Sequence, residues 1–149
     1  MSARALLAAL PSAALLLAAS APPAGSEVHV AVSSLRNDKG MVRACMTAQK
    51  KAFPQCERDP AAYTANIPAS DAARGLRFAG VKPGTYAIAL LHDENANGKA
   101  DFALGMMPKE GFGFSRDAKI RMGPPSFADA AIEVGDADRD LAIRMRYLF

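Results

Sequence analysis

The sequence predicts an all-β protein, an antiparallel β-sandwich of about seven or eight short strands. Three observations lead there. Apolar and polar residues alternate with period two in several short segments rich in Val, Ile, Leu, Tyr and Phe. Clusters of Gly, Pro, Asn and Asp punctuate those segments as turns. No stretch of the mature chain carries a sustained helical period.

The first alternating segment runs from Glu27 to Leu35, with Val28, Val30 and Val32 on one face. Asn37-Asp38-Lys39-Gly40 is a turn signal, and Met41 to Thr47 alternates again with Val42, Ala44 and Met46 together. The two segments read as a hairpin, with Cys45 on the outward face. Tyr63 to Ile67 is a short strand stopped by Pro68, and Ser70-Asp71-Ala72-Ala73 suits one helical turn. Leu76 to Val81 precedes Lys82-Pro83-Gly84, where Pro-Gly fits the central positions of a type II turn. Thr85 to His92 is the most apolar strand. Tyr86, Ile88 and Leu90 line one face and Ala87, Ala89 and Leu91 the other, so it belongs at the centre of a sheet. From Asp93 to Asp117 no period is sustained, and a segment of that length is functional or ordered by its own packing. Lys119 to Met122 reads as a short strand. Ala130 to Val134 and Leu141 to Phe149 alternate about a Gly135-Asp136-Ala137-Asp138 turn, a second hairpin.

Residues 1–25 read as a secretory signal peptide. Arg4 supplies the positive start, Ala5 to Ala19 is an apolar run too short for a membrane span, and small residues follow at the cleavage region. One domain, 26–149, is then expected, with no transmembrane segment and a periplasmic or secreted location. The formal charge of +3 falls to +2 without Arg4, since no other charged residue precedes Glu27. Lys and Arg are scattered among acids, which excludes a nucleic-acid interface. Two cysteines, Cys45 and Cys56, in an exported chain imply a disulfide.

His92-Asp93-Glu94-Asn95-Ala96-Asn97-Gly98-Lys99-Ala100-Asp101 follows the central strand. Asp93, Asn95, Asn97 and Asp101 take the alternating positions of a calcium-loop ligand set, with Gly98 after Asn97 and the Lys99 carbonyl as a further ligand. Where an EF-hand closes its site with a bidentate glutamate, this chain has Leu104. The expectation is a weak calcium site or, in the competing reading, a turn whose Asn and Asp side chains bond their own backbone.

The Leu76–Tyr86 stretch with its Pro-Gly resembles the hairpin of transthyretin-like and carboxypeptidase-regulatory-like sandwich domains. Together with His92-Asp93-Glu94-Asn95-Ala96-Asn97-Gly98-Lys99, Gly105, Pro108, Glu110, Gly111 and Gly113-Phe114-Ser115, it resembles the bacterial exported family called domain of unknown function 2141. The resemblance covers nearly the whole mature chain. It implies a prealbumin-like or immunoglobulin-like sandwich in the envelope or outside the cell, and it carries no catalytic residue. Ala100 stands where a larger apolar residue is expected after Lys99.

Three functional readings follow. The first is a non-enzymatic module that binds a metal ion or small ligand through residues 92–117, with His92, Glu110, Phe112 and Phe114 beside the acidic loop. The second is an interaction domain that presents Phe112 and Phe114 to a carbohydrate or an envelope protein, against the competing reading that the two rings plug the open end of the sandwich. The third, an enzyme built from His92, Asp93, Glu110 and Ser115, lacks any spacing that demands it, and Ser115 has no nucleophile-elbow context. No enzymatic activity is therefore expected, and no cofactor beyond weakly held calcium.

Overall fold

The computed structural model describes residues 24–104 and 107–149. The signal peptide expected over 1–25 lies outside the described residues apart from its last two. The strands are β1 (Ser26–Ser33), β2 (Met41–Thr47), β3 (Tyr63–Pro68), β4 (Leu76–Val81), β5 (Gly84–Asp93), β6 (Phe102–Ala103), β7 (Met107–Pro108), β8 (Gly111–Phe114), β9 (Ile132–Val134) and β10 (Arg139–Arg144). One short helix, α1 (Phe127–Ala130), and three 3-10 turns complete the set.

Two main sheets face each other, one of three strands in the order β10-β1-β4 and one of five in the order β3-β2-β5-β8. β9 adds to the Gly84–Tyr86 end of β5, and β6 and β7 form a separate small ribbon. The all-β sandwich expected from sequence is present. Its sheets are antiparallel except at one pair, β1 with β10, which is parallel from Val28↔Arg139 to Ser33↔Arg144.

Both expected hairpins are absent. β1 joins β4 and β10 in the small sheet, whereas β2 joins β3 and β5 in the large one, so 34–40 is a crossing between sheets. β9 pairs with β5 and β10 with β1, so 135–138 also crosses over. Residues 82–84 do the same between β4 and β5, and Gly84 has no positive φ, against a type II turn. Alternation identified the strands, but it fixes only which residues share a face; a half-buried strand satisfies it equally well in either sheet. Lys119 to Met122 is irregular rather than a strand.

Between the sheets lies the main core. Val28, Val30, Leu76, Phe78 and Ile143 come from the small sheet, and Val42, Met46, Tyr86, Ile88 and Leu90 from the large one. β5 is buried on its other face too. There Ala87, Phe112, Phe114, Phe127 and Ala130 form a second cluster, with Phe53 and Ala89 packed against it. This two-sided burial is what an apolar pattern on both faces requires.

The Cys45–Cys56 disulfide is formed, with Cα atoms 6.1 Å apart. Cys45 faces outward from β2 beside Ala89 of β5. The bridge draws the 48–56 segment across the outer face of the large sheet. Phe53 there meets the rings of Phe114 and Phe127 edge-on at 5.8 and 6.2 Å between centroids. The disulfide therefore fastens the cover of the second cluster.

Candidate functional site

Asp93 ends β5 and turns its carboxylate inward, fully buried. Arg43, on neighbouring β2, pairs with it through Nε at 2.6 Å. The backbone amides of Asn97 and Gly98 donate to Oδ1 and Oδ2 at 3.0 and 2.8 Å. Burial alone would push this carboxyl up; the Arg43 hydrogen bond and the two amides outweigh it and hold it below the usual range. The loop thus wraps around its own first residue. Gly98 takes φ +80° where the backbone doubles back, a conformation that glycine adopts without the Cβ penalty.

The tip has a different centre. Asn95 Nδ2 donates to Asp101 at 2.7 Å, and Asn97 Nδ2 donates to both Asp101 oxygens at 3.1 and 3.2 Å. The Asn95 and Asn97 side-chain oxygens accept from the amides of Asn97 and Lys99 at 3.0 and 2.8 Å. Three of the four side chains expected as cation ligands, Asn95, Asn97 and Asp101, therefore meet at one point, the two asparagines with their NH2 groups rather than their oxygens toward Asp101. The fourth, Asp93, sits beneath them, neutralised by Arg43. The Lys99 amide caps Asn97, and its side chain is exposed.

Glu110 closes the loop from below. Its oxygens accept the amides of Glu94 and Asp101, both at 3.2 Å. Burial pushes this carboxyl up, and the nearby charges of Asp101 and Asp93 push it further; the two amides pull it back only in part. Glu110 thus occupies the space beside the loop as a structural acceptor.

His92 is wholly buried. Its Nε2 lies 2.8 Å from the Lys39 carbonyl and its Nδ1 2.7 Å from the Tyr147 hydroxyl. A carbonyl only accepts, so Nε2 carries a proton, and in the neutral ring Nδ1 accepts from Tyr147. The Tyr147 hydroxyl in turn accepts from the Arg36 amide at 3.2 Å. Arg36 lies over the Tyr147 ring at 4.5 Å and pairs with Glu94 at 2.6 Å. Burial pushes Glu94 up, but hydrogen bonds from Arg36 and Asn37 bring it below its ordinary range.

Phe112 and Phe114 are not loop residues. They lie in β8, registered against Leu91 and Ala89 of β5, and both rings are buried in the second cluster. Gly111 and Gly113 alternate with them on the inner side. A Cβ at Gly113 would lie 2.7 Å from Ile143, and one at Gly111 would collide with the Tyr147 ring. The glycines admit the C-terminal segment, rather than a ligand, against β8. This corrects the reading of His92, Glu110, Phe112 and Phe114 as groups open to a ligand: all four are interior. Ser115 is buried as well, accepting from the Ile88 amide at 2.9 Å and donating to the Ala130 carbonyl.

Sequence reasoning missed Arg43, Arg36, Tyr147 and Glu94, which hold the loop. Their partners lie 50 or more residues away and carry no local signal. Among the described residues, no group of three His, Cys, Asp or Glu side chains is placed to hold a metal, and no helix is long and apolar enough to cross a membrane.

The family described as an uncharacterized protein conserved in bacteria, domain of unknown function 2141, matches residues 30–142. The chain belongs to that family. The match reaches from β1 through the loop to β10, so the sandwich and the acidic-asparagine loop both lie within it. Neither a curated protein nor a solved structure matches the chain.

Proposed function

We propose that this protein is an exported, non-enzymatic β-sandwich module that takes up a divalent cation weakly at the tip of its 93–101 loop. Calcium suits the all-oxygen donor set. The observation that supports this most is the meeting of Asn95, Asn97 and Asp101 at one point. Turning each amide about its last side-chain bond directs an oxygen where an NH2 group now points. The turn gives up a bond to a loop amide, and only one carboxylate at the tip is unneutralised. An affinity on the order of 10⁻⁴–10⁻³ M follows, the range of weak extracellular sites.

The non-enzymatic part rests on commitment of the polar groups. His92, Asp93, Glu110 and Ser115 each spend their hydrogen-bonding capacity on the fold. Export rests on the character of residues 1–25 and on the disulfide, which persists in oxidising compartments.

Calcium titration followed by thermal unfolding tests the reading. A melting temperature that climbs with millimolar calcium, but not in Asp101→Ala, is the expected outcome. A melting temperature that calcium leaves unmoved in the unsubstituted protein would make the loop a structural turn alone.

A further inference from the structure

Of the four asparagines in the chain, Asn37, Asn66, Asn95 and Asn97, only Asn97 precedes a glycine. Asparagine is thermolabile, and an Asn-Gly pair is its most reactive setting. The glycine nitrogen attacks the asparagine Cγ with little hindrance, since no Cβ stands beside it. The amide proton passes to water, a C–N bond closes a cyclic imide, and the Cγ–Nδ2 bond breaks as Nδ2 leaves as ammonia. Water then opens the ring at either carbonyl and leaves aspartate or isoaspartate. The net change consumes one side-chain amide and one water and yields one carboxylate and one ammonium ion.

Asn97 is exposed at the loop tip, so water reaches it. Its reacting atoms are nonetheless tied. The Gly98 amide donates to Asp93 Oδ2 at 2.8 Å, and that carboxylate is fully buried against Arg43. Loss of the Gly98 proton would set a second negative charge against the first. On the Asn97 side, Nδ2 donates to both Asp101 oxygens, and Oδ1 accepts from the Lys99 amide at 2.8 Å. Cγ reaches the Gly98 nitrogen only after those bonds break.

We propose that Asn97 is a site of spontaneous deamidation, held off by the grip of Asp93 on the Gly98 amide, and that the reaction, once it occurs, keeps the loop from closing again. The product sets a carboxylate where the Asn97 NH2 group now lies, 3.1 and 3.2 Å from the Asp101 oxygens, so like charges replace hydrogen bonds. Isoaspartate also lengthens the main chain between positions 97 and 98, which draws the two amides out of Asp93's reach. The loop thus carries a one-way chemical change gated by its own opening. None of this depends on cation binding.

Peptide mapping with isoaspartate detection, on the full mature chain held at mildly alkaline pH with chelator, tests this. Asn97 should deamidate more slowly in the folded chain than in a synthetic 92–101 peptide by about tenfold or more, because the Gly98 amide must first leave a charged acceptor. Hydrogen exchange of the Gly98 amide should be slowed by a similar factor, since both reactions pass through the same local opening. Asp93→Asn, close in size, should lose most of the protection in both measurements. The Cys45→Ser/Cys56→Ser variant, loosened on the outer face of the large sheet, should keep it. Equal deamidation rates in folded chain and peptide, or a freely exchanging Gly98 amide in fresh protein, would overturn the proposal. So would undiminished protection in Asp93→Asn, or deamidation of Asn95 ahead of Asn97. The first two measurements need no substitution and decide the matter even where Asp93→Asn does not fold. Chelator removes any cation, so these rates and the calcium response of the melting temperature fail or stand separately.

Discussion

Strand β5 and the loop that directly follows it are built on opposite principles. β5 is held by distant neighbours: β2 and β8 along its edges, the small sheet beneath Tyr86, Ile88 and Leu90, and the aromatic cluster above Ala87 and Ala89. The 93–101 loop is mostly exposed beyond Asp93 and holds its shape largely through hydrogen bonds spanning two to six residues, accepted by Asp93, Asn95, Asn97 and Asp101. Asp93 belongs to both. It ends the strand, it is buried, and it is the hub of the curl. Burial by shape complementarity orders the strand; satisfaction of backbone amides orders the loop, since an unpaired amide at a buried strand end is costly.

Substitutions break this contrast in a definite order. Leu90→Ala removes a fully packed side chain from the inter-sheet core and should cost about 2–5 kcal/mol in urea unfolding. A cost below about 1 kcal/mol would show that β5 owes its order to something other than packing. Asp93→Ala strips two amides and Arg43 of a shared acceptor. Hydrogen bonds to a charged group are worth about 1.5–3 kcal/mol each, so a loss on the order of 3 kcal/mol is expected, with calcium or without it. Replacing both Cys45 and Cys56 with Ser lifts the constraint on a short loop and should cost about 2–3 kcal/mol. Amide exchange should then rise first around Phe53 and Phe114, on the outer face alone.

Acid sharpens the comparison further. Asp93 and Glu94 have lowered folded-state values, so the stability they give is present above their unfolded pKa and is lost as pH falls through the folded one. Glu110 runs the other way. Its value is raised, so its contribution is present below the unfolded pKa and is lost as pH rises through the folded one. Stability should therefore decline as pH rises through Glu110's range, and fall steeply as pH drops below the ordinary carboxylate range. In Asp93→Ala that acid fall should be shallower, measured by denaturant unfolding at successive pH values. The smallest effect belongs to Asp101→Ala. In chelator it should change stability by less than about 1 kcal/mol, as an exposed polar network does.

Some features were legible because their physics is local. β5 was readable from apolar residues on both faces, and the curl at Gly98 from the spacing of Asp93, Asn95 and Asn97. Other signals were present and local but weak. Gly111-Phe112-Gly113-Phe114 is itself a period-two strand, obscured by its glycines. Ser126-Phe127-Ala128-Asp129 is a capping box, with Ser126 and Asp129 bonded reciprocally, but it opens a helix of one turn only. The fate of Phe112 and Phe114 was only partly readable: the sequence allowed either exposed rings or rings plugging the sandwich, because a glycine-flanked ring looks the same whether the adjacent surface is solvent or the Phe53 cover.

The sequence by itself determined an all-β chain with a buried β5, a Cys45–Cys56 bridge and a loop curled on Asp93 and Asp101. Each follows from periodicity, from an even cysteine count or from side chains that reach a few residues along the backbone. Only the tertiary structure decided which sheet each strand enters, the parallel pairing of β1 with β10, and the grip of Arg43 on Asp93 and of Tyr147 on His92. The parallel pairing joins residues 111 positions apart, and the two side-chain grips residues 50 and 55 apart. Alternation specifies a strand's two faces and says nothing of its neighbours, so partner choice waits for the packing of the whole core.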